Sequence, residues 1–182
     1  MKQRISLIAA PTAIQPGGYI ADAYEDATKA HTPEAVLSVQ KTLAGWRVHI
    51  VWDCASPVQD IKTDTNLFAD GAALLVPVNP DTPMMSMGAA GLPVEGFLWR
   101  ADWKEPLKIG AEGFGTVQRA PAPSGWKTTA IWDSNTWTVL FEIPHWPALD
   151  SQKRLGVAIW QGSARERAGL KSVTPDWIAV EG

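Results

Sequence analysis

A chain of 182 residues, 46% of them hydrophobic, has enough material for one domain spanning 1–182 with its own core and is short for two. The formal net charge of −3 removes the electrostatic basis for a nucleic-acid partner, and no apolar run reaches the roughly 20 residues of a membrane helix, so no membrane insertion is expected. The single cysteine, Cys54, excludes an internal disulfide, a Cys-x-x-Cys redox pair, an iron–sulfur cluster of the chain's own and covalent haem attachment through Cys-x-x-Cys-His. Cys54 reads as a small buried apolar residue.

In chain order, the apolar residues 5–10 end at Pro11, with no small-residue cleavage site behind them, and read as a first strand and not a leader. Residues 46–52 alternate apolar and polar side chains. With Ala44-Gly45 as a turn they pair with residues 37–43 as a hairpin, in preference to a helix over 33–44. Further strands are expected over 71–78, 93–103, 128–132, 136–143, 154–161 and 176–180, and Asp133-Ser134-Asn135 reads as the turn of a second hairpin. Residues 104–127 lack clear periodicity and read as a covering or functional loop. Many short strands and few helical segments indicate an all-β fold, an antiparallel β-sandwich. Most of the ten tryptophans are expected in its core.

Catalytic chemistry finds little support. The three histidines, His31, His49 and His145, have no nucleophile elbow or His-Glu-x-x-His beside them. Asp53, Asp70, Asp102 and Asp133 fall at strand ends and read as solvated turn carboxylates. Residues 110–115 are glycine-rich but lack the Lys-Ser/Thr of a phosphate loop. One loop stands apart: Met84-Met85-Ser86-Met87-Gly88, between two strands, holds three of the four methionines. Such thioethers fill gaps in cores, but they are also soft donors suited to haem iron or copper. Gly88 would let the backbone come close to a large planar ligand.

The ordered segments Phe68-Ala-Asp-Gly-Ala-Ala-Leu-Leu-Val-Pro-Val78, Ser86-Met-Gly88 and Leu92-Pro-Val-Glu-Gly-Phe-Leu-Trp-Arg-Ala-Asp-Trp103 resemble the haem b-binding gamma subunits of ethylbenzene dehydrogenase, dimethyl sulfide dehydrogenase and the chlorate and selenate reductases. Residues 137–143, 155–162, Arg165-Glu-Arg167 and Lys171-Ser-Val173 continue the match, which covers roughly residues 45–180. Gln161 and Ala89 depart from it, standing where acidic residues are common in that family. The resemblance implies a β-sandwich holding one haem b (iron protoporphyrin IX), with Met87 and Lys171 as axial ligands and Gly88 beside the first of them. Met84 and Met85 are register alternatives to Met87. Arg100, Lys104, Arg165 and Arg167 are candidate partners for the haem propionates.

The implied role is non-catalytic electron transfer within a heterotrimer. A molybdopterin alpha subunit would carry out catalysis and an iron–sulfur beta subunit would exchange electrons with this chain, which would pass them to or from a soluble cytochrome c. The implied location is the periplasm, reached by co-export with a partner subunit; a cytoplasmic complex is the alternative. The competing reading is a carbohydrate- or small-ligand-binding sandwich without haem, in which tryptophans form exposed stacking platforms.

Overall fold

The computed structural model describes residues 1–11, 29–61 and 67–181. Among these residues thirteen strands form two antiparallel sheets. The first has the order β1 (Lys2–Ser6), β3 (Glu34–Thr42), β4 (Gly45–Asp53), β10 (Thr136–Ile143), β9 (Lys127–Asp133). The second runs β2 (Ile8–Ala9), β12 (Ser172–Val173), β11 (Arg154–Trp160), β5 (Gly71–Pro77), β6 (Val94–Arg100), β7 (Leu107–Ala111), β8 (Gln118–Pro121), with β13 (Ile178–Ala179) also pairing β11. The all-β sandwich expected from the sequence is the fold observed.

Both hairpins are present. Thr42 faces Gly45 in β3–β4, and Asp133 faces Thr136 in β9–β10. Ser134 and Asn135 both take positive φ, the backbone a two-residue hairpin turn requires. The expected N-terminal strand is two pieces: β1 joins the first sheet and β2 the second, so this segment bridges the layers. The strand expected over 93–103 ends at Arg100. Residues 104–127 differ more: they contain β7 and β8, which extend the second sheet.

Alternation buries one face of each strand of the first sheet. Trp46, Val48, Ile50 and Trp52 of β4 point inward, as do Trp137, Val139, Phe141 and Ile143 of β10. From the second sheet, Ala72, Leu74 and Val76 of β5 meet them, with Phe97, Trp99, Val157 and Ile159. Edge-to-face ring pairs tie the layers together, Trp99–Trp137 at 5.1 Å and Phe97–Phe141 at 5.3 Å between centroids. Cys54 is buried in this core, its thiol pushed up to about 12 by burial and then by the Asp70 carboxylate.

Asp70 is no solvated turn residue. It is fully buried, and its carboxylate accepts hydrogen bonds from the Gly162 and Val58 amides at 2.7 and 2.9 Å and from Trp137 Nε1 at 2.9 Å. These donors come from three separate segments, so Asp70 pins the 162–171 loop to the start of β5. That charge is kept inside by its donors.

Candidate functional site

Every residue of β5 is buried, on both faces. The reason is a second layer outside the second sheet. Ala73, Leu75, Leu98, Ile109, Ala158 and Val173 form a separate apolar cluster on the face away from the main core, with Met87, Trp103 and Trp160 packed against it. Strand register explains the grouping. Ala73 pairs with both Leu98 and Ala158, Gly71 with both Arg100 and Trp160, Leu98 with Leu107 and Ile109 with Arg119, so these side chains share one face. Where that face carries Gly71, Ala73 and Ala158, the floor is low. A cavity of about 540 Å³ stands over it, within the range of cofactor pockets. Leu75, Leu98, Ile109, Phe114 and Trp160 make its walls largely apolar.

Met87 and Lys171 close the cavity from opposite loops. Met87 belongs to the loop between β5 and β6, and its backbone sits at φ 57°, a left-handed conformation costly for a side chain with a Cβ. The loop fixes it there: the Met87 amide donates to Met84 O at 3.0 Å, Gly113 N donates to Met87 O at 2.9 Å, and Gly88 N donates to Pro83 O at 2.9 Å. Gly88 itself has φ 88°, and a Cβ there would lie 2.7 Å from Leu92 O and 2.9 Å from Ala111 O. Only glycine fits behind Met87. Arg165 and Ala168, on the opposite loop, also take positive φ; with Met87 they make three of the six such non-glycine residues among those described, and all three belong to the loops that bound the cavity.

Lys171 precedes β12 and is anchored by the Ala10 amide, which donates to Lys171 O at 2.9 Å. Its Nζ lies 3.6 Å from Met87 Sδ, 3.5 Å from Ala168 O and 5.3 Å from the centroid of the Trp160 ring. The partners of its amino group are thus a sulfur, a carbonyl and a ring face. The residue is half-buried, and burial of its amine holds its pKa down to about 8. A lysine in that range needs less free energy to give up its proton and present a lone pair than an ordinary one.

The other two loop methionines lie elsewhere. Met84 is buried against Gly156, where a Cβ would come 2.5 Å from Met84 Sδ, and Met85 packs on the flank of the outer cluster. Neither lines the cavity. Of the four candidate propionate partners, Arg100 and Arg167 line it and Lys104 and Arg165 do not. Arg119, which the sequence reading passed over, also lines it from β8. Arg100 pairs with Asp102 at 3.0 Å and sits over the Trp103 ring at 4.5 Å, while Arg167 covers the Phe68 ring at 4.3 Å.

The donor set suits a haem iron. Among the described residues no group of three or more His, Cys, Asp or Glu side chains could hold a metal ion; in this cavity a thioether and an amine face each other instead. Met87 Sδ and Lys171 Nζ, 3.6 Å apart on two flexible side chains, are the atoms that would hold such an iron, one as a soft thioether donor and the other as a neutral amine. Six of the ten tryptophans are buried, and Trp103, Trp132, Trp160 and Trp177 are half-buried. Among the described residues no helix is long and apolar enough to cross a membrane.

No family model matches the chain. It is 30% identical over 152 residues to the chlorate reductase gamma subunit of Ideonella dechloratans, an alignment covering 78% of this chain and 62% of that protein. It is 30% identical over 159 residues to the dimethylsulfide dehydrogenase gamma subunit of Rhodovulum sulfidophilum, covering 80% and 60%. It is 34% identical over 119 residues, covering 60% and 42%, to a Haloferax mediterranei protein provisionally named as the heme subunit of a respiratory nitrate reductase. The chain thus spans about 60% of the length of the first two relatives. The first two are among the gamma subunits that the sequence motifs resemble, and the chain is a homologue of all three.

Proposed function

We propose that this chain, a homologue of the gamma subunits of chlorate reductase and dimethylsulfide dehydrogenase, is a non-catalytic electron-transfer subunit that holds one haem b between Met87 and Lys171. The observation that carries the reading is the approach of Lys171 Nζ to Met87 Sδ, 3.6 Å apart at the cavity that both side chains line. When bound, the haem supplies a one-electron couple. This chain's residues set its terms. Met87 donates a thioether, a soft ligand that favours the reduced metal and raises the potential. Lys171 donates a neutral amine, and the desolvated wall keeps that amine short of its usual proton affinity. Two protein ligands leave no open position for oxygen or substrate, which suits relay and not catalysis. Leu75, Leu98, Ile109 and Trp160 exclude water from the macrocycle and lower the local dielectric. Arg100, Arg119 and Arg167 are the cavity cations able to meet two propionates.

In this reading the electron partners are an iron–sulfur beta subunit, itself bound to a molybdopterin alpha subunit, and a soluble cytochrome c. The support is the naming of two relatives as subunits of multi-subunit reductases and dehydrogenases and of a third as a heme subunit.

The test is spectroscopic. Protein supplied with haem is expected to bind it one to one and to show low-spin, six-coordinate bands in both oxidation states. Met87→Ala and Lys171→Ala are each expected to give five-coordinate or water-ligated iron. Wild-type bands in both variants would refute the ligand pair, and a failure of the wild-type protein to retain haem would refute the function.

A further inference from the structure

The same cavity contains an acid that axial ligation and propionate binding do not use. Glu166 lines it, is only 4% exposed and sits on the loop between the 3-10 turn Gly162–Ala164 and Lys171. Its Oε2 accepts a hydrogen bond from the Gln161 amide at 2.7 Å, and its Oε1 lies 3.2 Å from Nδ1 of His31. The His31 side chain is 36% exposed, so the pair runs from the cavity wall to solvent. A carboxylate so enclosed is expensive unless it is paired or protonated.

Resting on the haem reading above, we propose that Glu166 and His31 form a proton-binding site coupled to the electron at the haem, with His31 as the route to solvent. The step balances simply. One electron from the iron–sulfur partner, or from a chemical reductant, reduces the iron, and one proton from solvent enters by His31 and settles on Glu166. No other bond changes. An added negative charge beside a low-dielectric wall raises the proton affinity of the pair, so reduction and proton uptake favour each other.

The charged surroundings are consistent with such a swing. On its own loop Glu166 has Arg165, Arg167 and Lys171 as neighbours in sequence. Just before β5 comes Asp70, whose carboxylate already accepts from the Gly162, Val58 and Trp137 donors. Across the cavity stand Arg100, itself paired with Asp102, and Arg119. Glu166 pairs ionically with His31 at 3.2 Å. Burial pushes the Glu166 carboxyl above the usual carboxylate range, against the lowering pull of the Gln161 amide and His31.

A redox titration of the haem-loaded protein between about pH 5 and 8 tests this. The midpoint is expected to fall as pH rises over part of that range, approaching 59 mV for each tenfold drop in proton concentration, with low-spin bands unchanged throughout. Redox-difference infrared spectra should show a carboxylic acid band that appears on reduction. Glu166→Gln should flatten the slope and abolish the band. His31→Gln, at a half-exposed position, should keep the slope and move it to higher pH, because Glu166 loses the partner that lowers its pKa. A flat midpoint in wild-type protein with its low-spin bands intact would overturn the coupling and leave the haem reading standing. A Glu166→Gln slope equal to wild type would overturn it too. Protein that holds no haem would overturn both.

Discussion

Lys171 links the stability of the haem-free site to pH. Its amine titrates near 8 in the folded protein against an ordinary value of 10.5. The unfolded chain therefore binds the proton more tightly. Folding forfeits part of that proton affinity below about pH 8, and the haem-free protein should gain stability as pH rises from 8 towards 10.5. Chemical denaturation at a series of pH values checks this, and Lys171→Met should remove that part of the gain. Haem association should likewise strengthen as pH rises to about 8, because the ligand form of lysine is the neutral one. Gly88 is the second residue on which the site depends. With φ 88° and two carbonyl oxygens within 3 Å of any added Cβ, Gly88→Ala should cost roughly 1–3 kcal/mol and displace Met87. A lower denaturation midpoint together with reduced haem retention would show it.

At the scale of the element, the cavity is a consequence of strand register and side-chain size. Gly71, Ala73 and Ala158 face the same side of neighbouring strands, so their short side chains leave room where leucines would fill it. Ala73→Leu should therefore block haem binding while the sandwich keeps its strand signature by circular dichroism, since the inward face of β5 is untouched. Undiminished haem binding by this variant would place the cofactor elsewhere.

Part of this was legible in the sequence. The hairpins at 34–53 and 127–143 were, because one buried face and one wet face impose alternation on β3, β4 and β10. The walls were not. β7 has partly buried residues on both faces, and all four residues of β8 are exposed, so residues 104–127 carry no period to read. Asp70 was misread because a carboxylate at a strand end looks the same whether water or three backbone and indole donors satisfy it. Arg119 gave no signal beyond its residue type, and Glu166 was visible only as the middle of the Arg165-Glu166-Arg167 segment of the family match. Met87 and Lys171 were named through family resemblance. Periodicity could not have paired two loop residues that only the closure of the second sheet's outer face brings together. A readable clue to that outer layer did exist: the continuous apolar run Ala72-Ala73-Leu74-Leu75-Val76 is what a strand covered on both faces looks like.

For the whole molecule, the two faces of the second sheet divide the work. The inner face packs Phe97, Trp99, Val157 and Ile159 against the first sheet and holds the fold together. The outer face, closed by the Met87 loop and the 162–171 loop, carries the cavity. Asp70 joins these roles, since the carboxylate that anchors Gly162 lies at the start of the strand forming the cavity floor. The central claim is that this outer cavity holds iron between a thioether and an amine. X-ray absorption at the iron edge of the haem-loaded protein tests it most directly. One sulfur and five nitrogen neighbours are predicted; six light-atom neighbours with no sulfur would contradict it.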